Sequence, residues 1–170
     1  DILPEAGYYC LTLLPSGRHL WAESIEELVQ LTQAHEGETG VYFGTAAFNS
    51  VANRKQCNVL ALKALRLDID AGAKKFEKDP DGTYPTQRDA TTALVKFCQS
   101  EQLAPTYIVS SGEGLHVYFC LSEALAPERW VPLAEGLARL TAAKGLKVDP
   151  SVTTDTARIL RPLGGMHGNG

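Results

Sequence analysis

Apolar and polar positions alternate most strictly from Leu65 to Asp70. Leu65, Leu67 and Ile69 point one way, and Arg66, Asp68 and Asp70 the other. The pattern predicts a half-buried β-strand within the stretch Asn58 to Asp70. Upstream, Tyr8 to Leu14 is apolar and β-prone and ends at a turn, Pro15-Ser16-Gly17. Ser24-Ile25-Glu26-Glu27 has the form of a capping box, and Ile25, Leu28 and Leu31 follow at helical spacing to about His35. Glu36 to Gly40 is a turn cluster, and Gly40-Val41-Tyr42-Phe43-Gly44 reads as a strand. Residues 71–85 are polar, with Gly72, Asp79-Pro80, Asp81-Gly82 and Pro85, and predict a mobile loop.

A second capping signature, Thr86-Gln87-Arg88-Asp89, opens a helix carrying Ala90, Leu94, Val95 and Cys98. Tyr107 to Ser111 and Leu115 to Leu121 read as two strands of a hairpin joined by Gly112-Glu113-Gly114. Pro127 suits the first turn of a helix to about Lys144, with Trp130, Leu133, Leu137 and Leu140 as its buried stripe. A last β segment covers Lys147-Val148-Asp149 and then Ala157 to Leu160. From residue 59 the order is strand, helix, strand, strand, helix, strand, the split β-α-β order of ferredoxin-like and RNA-recognition folds. The expected fold class is therefore α+β in a single domain. An N-terminal α/β unit covers about residues 1–55, and an RNA-recognition-like unit about 56–170.

Composition narrows this little. The chain has 170 residues, 44 % hydrophobic and 21 % charged, enough for a packed core. Its net charge of −4 argues against a generally basic nucleic-acid coat but leaves room for a local basic groove. Basic residues cluster at Arg54 and Lys55, at Lys63 and Arg66, at Lys74, Lys75 and Lys78, and at Arg158 and Arg161. The cysteines Cys10, Cys57, Cys98 and Cys120 form no CxxC pair and read as buried apolar residues in a reducing cytosol. No signal peptide and no apolar run of transmembrane length is present. The chain starts at Asp1 and ends in a glycine-rich stretch, so a fragment of a longer protein is expected.

Three segments carry candidate chemistry. Asp68 and Asp70 share a strand face, about 6.5 to 7 Å apart along the chain, and can converge on a divalent metal or on two. The same pattern fits a solvated charged face. On the hairpin Ser110-Ser111-Gly112-Glu113-Gly114-Leu115-His116, the glycine-rich turn, serine and imidazole can meet phosphate oxygens; a plain turn reads equally well. In the third segment Asp149 follows Val148 and precedes Arg158-Ile159-Leu160-Arg161-Pro162-Leu163-Gly164. A third carboxylate can complete a two-metal site, and an arginine can neutralise a triphosphate. In a regular strand Arg158 and Arg161 would face opposite sides.

Together the Asp-x-Asp strand, the Ser-Gly-x-Gly-x-His hairpin and the Val-Asp followed by Arg-Ile-Leu-Arg-Pro-Leu-Gly resemble the archaeo-eukaryotic primase (AEP) superfamily. The similarity is nearest to primase-polymerases of phages, plasmids and other mobile elements, and it spans roughly Tyr42 to His167. It implies an AEP-type catalytic core with Asp68, Asp70 and Asp149 as catalytic metal ligands for two Mg²⁺ or Mn²⁺ ions. It implies nucleotide contacts from His116, with Ser111 nearby, and from Arg161, then Arg158, with His167 in a position related enzymes often use for a phosphate contact. One departure stands out: the family's Ser-x-His places serine two residues before the histidine, and that position here is Gly114.

The implied activity is template-dependent nucleotidyl transfer from (d)NTPs to a 3′-hydroxyl, with pyrophosphate released. The implied partners are a single-stranded DNA template, a primer strand and a helicase or accessory domain beyond residue 170. The implied setting is the cytoplasm of a bacterial or phage-infected cell, with no membrane. Arg54, Lys63, Lys74 and Lys75 are candidate nucleic-acid contacts, and Tyr42 and Tyr118 could stack on a base. Rival readings are an Asp-x-Asp nucleotide-sugar glycosyltransferase, a non-catalytic RNA-recognition-like binding module, and a degenerate primase fold that binds nucleotides or DNA without catalysis.

Overall fold

A computed structural model describes residues 1–166. The strands are β1 (Tyr9–Leu13), β2 (Arg18–Ala22), β3 (Val41–Gly44), β4 (Ala47–Phe48), β5 (Val59–Ile69), β6 (Tyr107–Ser110), β7 (Leu115–Leu125) and β8 (Ile159–Leu160). The helices are α1 (Ile25–Ala34), α2 (Ala73–Lys78), α3 (Gln87–Ser100), α4 (Pro127–Ala143) and α5 (Pro150–Thr154). Two four-stranded sheets result, ordered β2-β1-β3-β8 and β4-β5-β7-β6. Among the described residues no helix is long and apolar enough to cross a membrane.

The chain forms two compact units. The first comprises Asp1–Lys63, Ser122–Trp130 and the described part of Asp155–Gly170. Its sheet grows from β1, which pairs antiparallel with β2 (Tyr9↔Ala22, Leu13↔Arg18) and with β3 (Leu11↔Phe43). The α1 helix starts as its sequence predicts: the Ser24 hydroxyl accepts from the Glu27 amide at 3.1 Å. The Glu27 carboxylate returns to the Glu23 amide at 2.8 Å, one residue earlier than in a regular capping box. Tyr9, Leu11, Leu28, Val41 and Phe48 are buried here. β2 and β4 carry no clear alternation. β2 lies at the sheet edge and buries only Ala22, and β4 has two residues.

The second unit comprises Ala64–Leu121 and Val131–Thr154. Leu67, Ile69, Ala90, Leu94, Phe97, Leu115, Val117 and Leu137 form its core, with Leu65 packed against it, so the apolar face of β5 lies inward as its alternation predicts. Burial of each leucine, isoleucine, valine or phenylalanine side chain among these contributes about 1.5 to 3 kcal/mol. β7 lies between β5 and β6, the split β-α-β order expected for the first three strands.

The expected fourth strand is not there. β8 pairs with β3 in the other sheet (Phe43↔Leu160), and the position beside β5 is taken by β4. Residues 147–149 form no strand. Asp149 instead caps α5: its carboxylate accepts from the Ser151 amide at 2.8 Å and hydroxyl at 2.7 Å. Asp-Pro there is a helix start, with the cap side chain on Asp149 and proline at the first helical position.

Two further expectations change. Residues 71–85 are not a structureless loop. They hold α2, and Tyr84 zips onto the end of β5, donating to the Asp70 carbonyl and accepting from the Gly72 amide, both at 3.0 Å. The aromatic ring of Tyr84 packs on the core, and that burial orders the polar stretch around it. In α4, Leu133 is 46 % exposed, while Trp130, Ala134, Leu137 and Thr141 are buried. At 3.6 residues per turn these four share one line, and Leu133 falls on its flank.

Candidate active site

The second unit gathers the predicted side chains of β5, β7 and the turn before α5. Along the polar face of β5, Arg66 is 1 % exposed, so this face is closed over at its middle and opens toward Asp70. On β7, His116 is buried at 4 % and Tyr118 at 3 %. His116 Nε2 lies 3.8 Å from Asp68 Oδ1. The Asp149 amide donates to the Asp68 carbonyl at 3.0 Å, which seats the third carboxylate's backbone directly on β5. Asp68, His116 and Asp149 therefore come together through backbone pairing and strand register.

The electrostatics agree with that grouping. The Tyr118 phenol is pushed far above its ordinary range, chiefly by burial. The Arg66 guanidinium pulls it down and the Asp68 carboxylate pushes it up, so both charges act on the same hydroxyl. Buried as it is, Tyr118 belongs to the packing of the site and is not available to stack on a base.

The hairpin tip is tightly fitted. The Ser111 amide donates to the Gly114 carbonyl at 3.0 Å, closing the turn. A Cβ built at Gly114 would overlap the Ile69 carbonyl oxygen and lie 3.3 Å from Ser111 Oγ. The missing serine of the Ser-x-His pattern thus has a physical reason, because the backbone of β5 fills the place its side chain needs. Ser111 puts a hydroxyl beside that same position. From α3, Gln87 Nε2 donates to Ser110 Oγ at 2.8 Å and to the Gly114 carbonyl at 2.9 Å, tying helix to hairpin.

Each proposed metal ligand has a present partner. Asp70 is engaged by the Lys75 ammonium, Asp149 by Ser151, and Asp68 faces His116. Among the described residues no three His, Cys, Asp or Glu side chains converge closely enough to hold an ion as they stand. Carboxylate oxygens are the donors that Mg²⁺ and Mn²⁺ prefer, and at Asp70 the positive charge is now supplied by the Lys75 ammonium.

Arg158 and Arg161 belong to the first unit, flanking β8, and both are half-buried. The Arg158 carbonyl accepts from the Thr45 amide and hydroxyl, each at 3.0 Å. Arg54 donates to the Ala157 carbonyl, and Lys63 pairs with Glu5 at 3.3 Å. Lys74 is exposed on α2. His167 lies outside the described residues. Sequence reasoning missed Lys75 as the partner of Asp70, and it missed Gln87 and Lys147. Only the position of Lys147, two residues before Asp149, hinted at a role.

No protein-family model and no curated protein matches the sequence. Among solved structures the chain is similar to the AEP domain of the primase-polymerase of cyanophage S-2L. Identity is 14 % over 97 % of this chain and 76 % of that one, with a TM-score of 0.54. It is also similar to the polymerase domain of Mycobacterium tuberculosis ligase D in complex with DNA, at 18 % identity over 92 % of this chain and 68 % of that one, with a TM-score of 0.47. The first likeness shows the fold: this chain has the α+β architecture of an AEP-type primase-polymerase domain.

Proposed function

We propose that this chain is the catalytic unit of a DNA primase-polymerase, transferring nucleotides from (d)NTPs to a 3′-hydroxyl on a template with release of pyrophosphate. The observation that carries the reading is the seating of Asp149 on Asp68 beside His116, within an AEP-type fold. A glycosyltransferase built on Asp-x-Asp alone gives no role to His116 or Asp149.

Asp68, Asp70 and Asp149 would hold two Mg²⁺ or Mn²⁺ ions, which supply positive charge that acidifies the 3′-hydroxyl and stabilises the departing pyrophosphate. His116 is assigned to the triphosphate by its place on the Ser-Gly-x-Gly-x-His hairpin, with Asp68 beside its Nε2. The amides and Ser111 hydroxyl of the hairpin add donors for phosphate oxygens. Arg161, and after it Arg158, is assigned to the triphosphate by its place in the sequence after Asp149. Lys74 is the preferred template contact, because Arg54 and Lys63 already have partners in Ala157 and Glu5.

The test is single-nucleotide incorporation on a primed DNA template with Mg²⁺ or Mn²⁺. Asp68→Asn or Asp70→Asn abolishes incorporation while circular dichroism stays native, and incorporation by either variant sinks the assignment. His116→Ala raises the nucleotide KM more than it lowers kcat. Binding of a sugar nucleotide, with no (d)NTP bound, would favour the glycosyltransferase.

A further inference from the structure

The polar segment between β5 and α3 is held from outside by one side chain. Lys147 Nζ donates to the carbonyl oxygens of Pro80 and of Thr83, the latter at 3.1 Å. The same ammonium lies 5.6 Å from the centroid of the Phe76 ring and 5.3 Å from that of Tyr84. The Lys147 backbone amide donates to the Tyr84 phenol oxygen at 3.1 Å. A cation set among two carbonyls and two ring faces grips those groups more firmly than a solvated surface lysine would.

The two ends of this grip are both carboxylate segments. Tyr84 donates its amide to the Asp70 carbonyl at 3.0 Å, and α2 in the same segment brings Lys75 onto Asp70. Lys147 itself lies two residues before Asp149, whose amide is bonded to the Asp68 carbonyl at 3.0 Å. Lys147 thus connects the segment that dresses Asp70 to the segment that carries Asp149.

We propose that Lys147 is a positioning residue: it clamps residues 76–84 and so fixes the spacing of Asp70 and Asp149. The proposal rests on the reading of Asp68, Asp70 and Asp149 as the metal-binding set. A divalent ion tolerates little error in ligand spacing, so a loosened clamp weakens the ion and slows chemistry. The hairpin that carries His116 is tied by Gln87 and β5 rather than by Lys147, so at saturating metal the nucleotide KM is left nearly alone.

Three readouts on wild type, Lys147→Met and Lys147→Arg test it: amide hydrogen exchange of residues 76–84, binding of MnCl₂ alone by calorimetry, and steady-state incorporation. In Lys147→Met, exchange in 76–84 rises and Mn²⁺ affinity falls, each about tenfold, and with Mn²⁺ held saturating kcat drops while nucleotide KM stays within about twofold. Lys147→Arg, which keeps the charge and can lie on the rings, restores most of all three. Unchanged exchange in Lys147→Met overturns the clamp. Faster exchange with unchanged Mn²⁺ affinity and kcat overturns the positioning role and leaves a purely structural tie. If wild type neither binds Mn²⁺ nor incorporates nucleotide, the carboxylate reading fails and the positioning role falls with it, whatever the exchange shows. Should Lys147→Met not fold, Lys147→Gln, which removes the ammonium, is read by the same criteria.

Discussion

A side chain at position 114 has nowhere to go, because the Ile69 carbonyl oxygen of β5 occupies the place of its Cβ. Either the hairpin or β5 must shift to admit one, so Gly114→Ala and Gly114→Ser each cost about 1 to 3 kcal/mol of stability, read from urea midpoints. Gly114→Ser restores the Ser-x-His spelling of the AEP resemblance, yet it is expected to impair nucleotide binding rather than improve it. Stability equal to wild type would show that the hairpin does not press on β5. From the sequence, Gly114 was visible as a departure but its cause was not, because the clash comes from a strand distant in the chain. The same holds for Lys75. It reads as one of several loop lysines, and its contact with Asp70 exists only once α2 forms. Asp68 and His116 could be placed on their strand faces because alternation is local; Asp149 was read into a β segment that does not form, and its seat on Asp68 comes from the turn before α5.

Elements whose start signal lies in their own side chains were read well. α3 begins at Thr86, whose hydroxyl accepts from the Asp89 amide at 3.2 Å, so Thr86→Ala is expected to cost about 1 kcal/mol by thermal or urea unfolding. At its other end, Glu101 pairs with Lys144 beyond α4 at 2.8 Å. The Lys144 ammonium, with Ser100 second, holds the Glu101 carboxyl below its usual range. A depressed folded value means that the pair's contribution is fully present above the carboxyl's unfolded pKa, about 4.3, and fades as pH falls through the folded value. Lys144→Met should therefore lower the urea midpoint at neutral pH, with the gap from wild type closing in acid; a gap independent of pH rules the pair out. Elements that lack such a signal were missed for definable reasons. β2 and β4 are too short or too exposed to alternate, and α5 is a single turn whose Asp-Pro start resembles the end of a strand. The ordering of 71–85 comes from Tyr84 and Lys147, contacts that local polarity cannot show.

For the whole molecule, composition narrowed little, and the choice of sheet for β8 lay beyond any local pattern because a two-residue strand is defined by its partner alone. On the proposed reading, the molecule's charge sets the order in which ligands act. The chain carries a net charge of −4, and the proposed site draws three of its negative charges from Asp68, Asp70 and Asp149, the last seated on Asp68 by its backbone. A triphosphate approaching those carboxylates alone is repelled, so a nucleotide without divalent metal should stabilise the fold little. Metal removes the repulsion, and metal with nucleotide should stabilise far more than the sum of either alone. At one hundred times the dissociation constant, the gain is about 2.7 kcal/mol, or a rise of about 5 to 11 °C in Tm for a domain of this size. Differential scanning fluorimetry with Mn²⁺, nucleotide, both, and both after chelation measures it directly. Asp68→Asn should lose the joint effect while keeping a native baseline Tm. A full shift by nucleotide in the presence of chelator would mean that the carboxylates do not face the triphosphate, and the site as assigned would have to be abandoned.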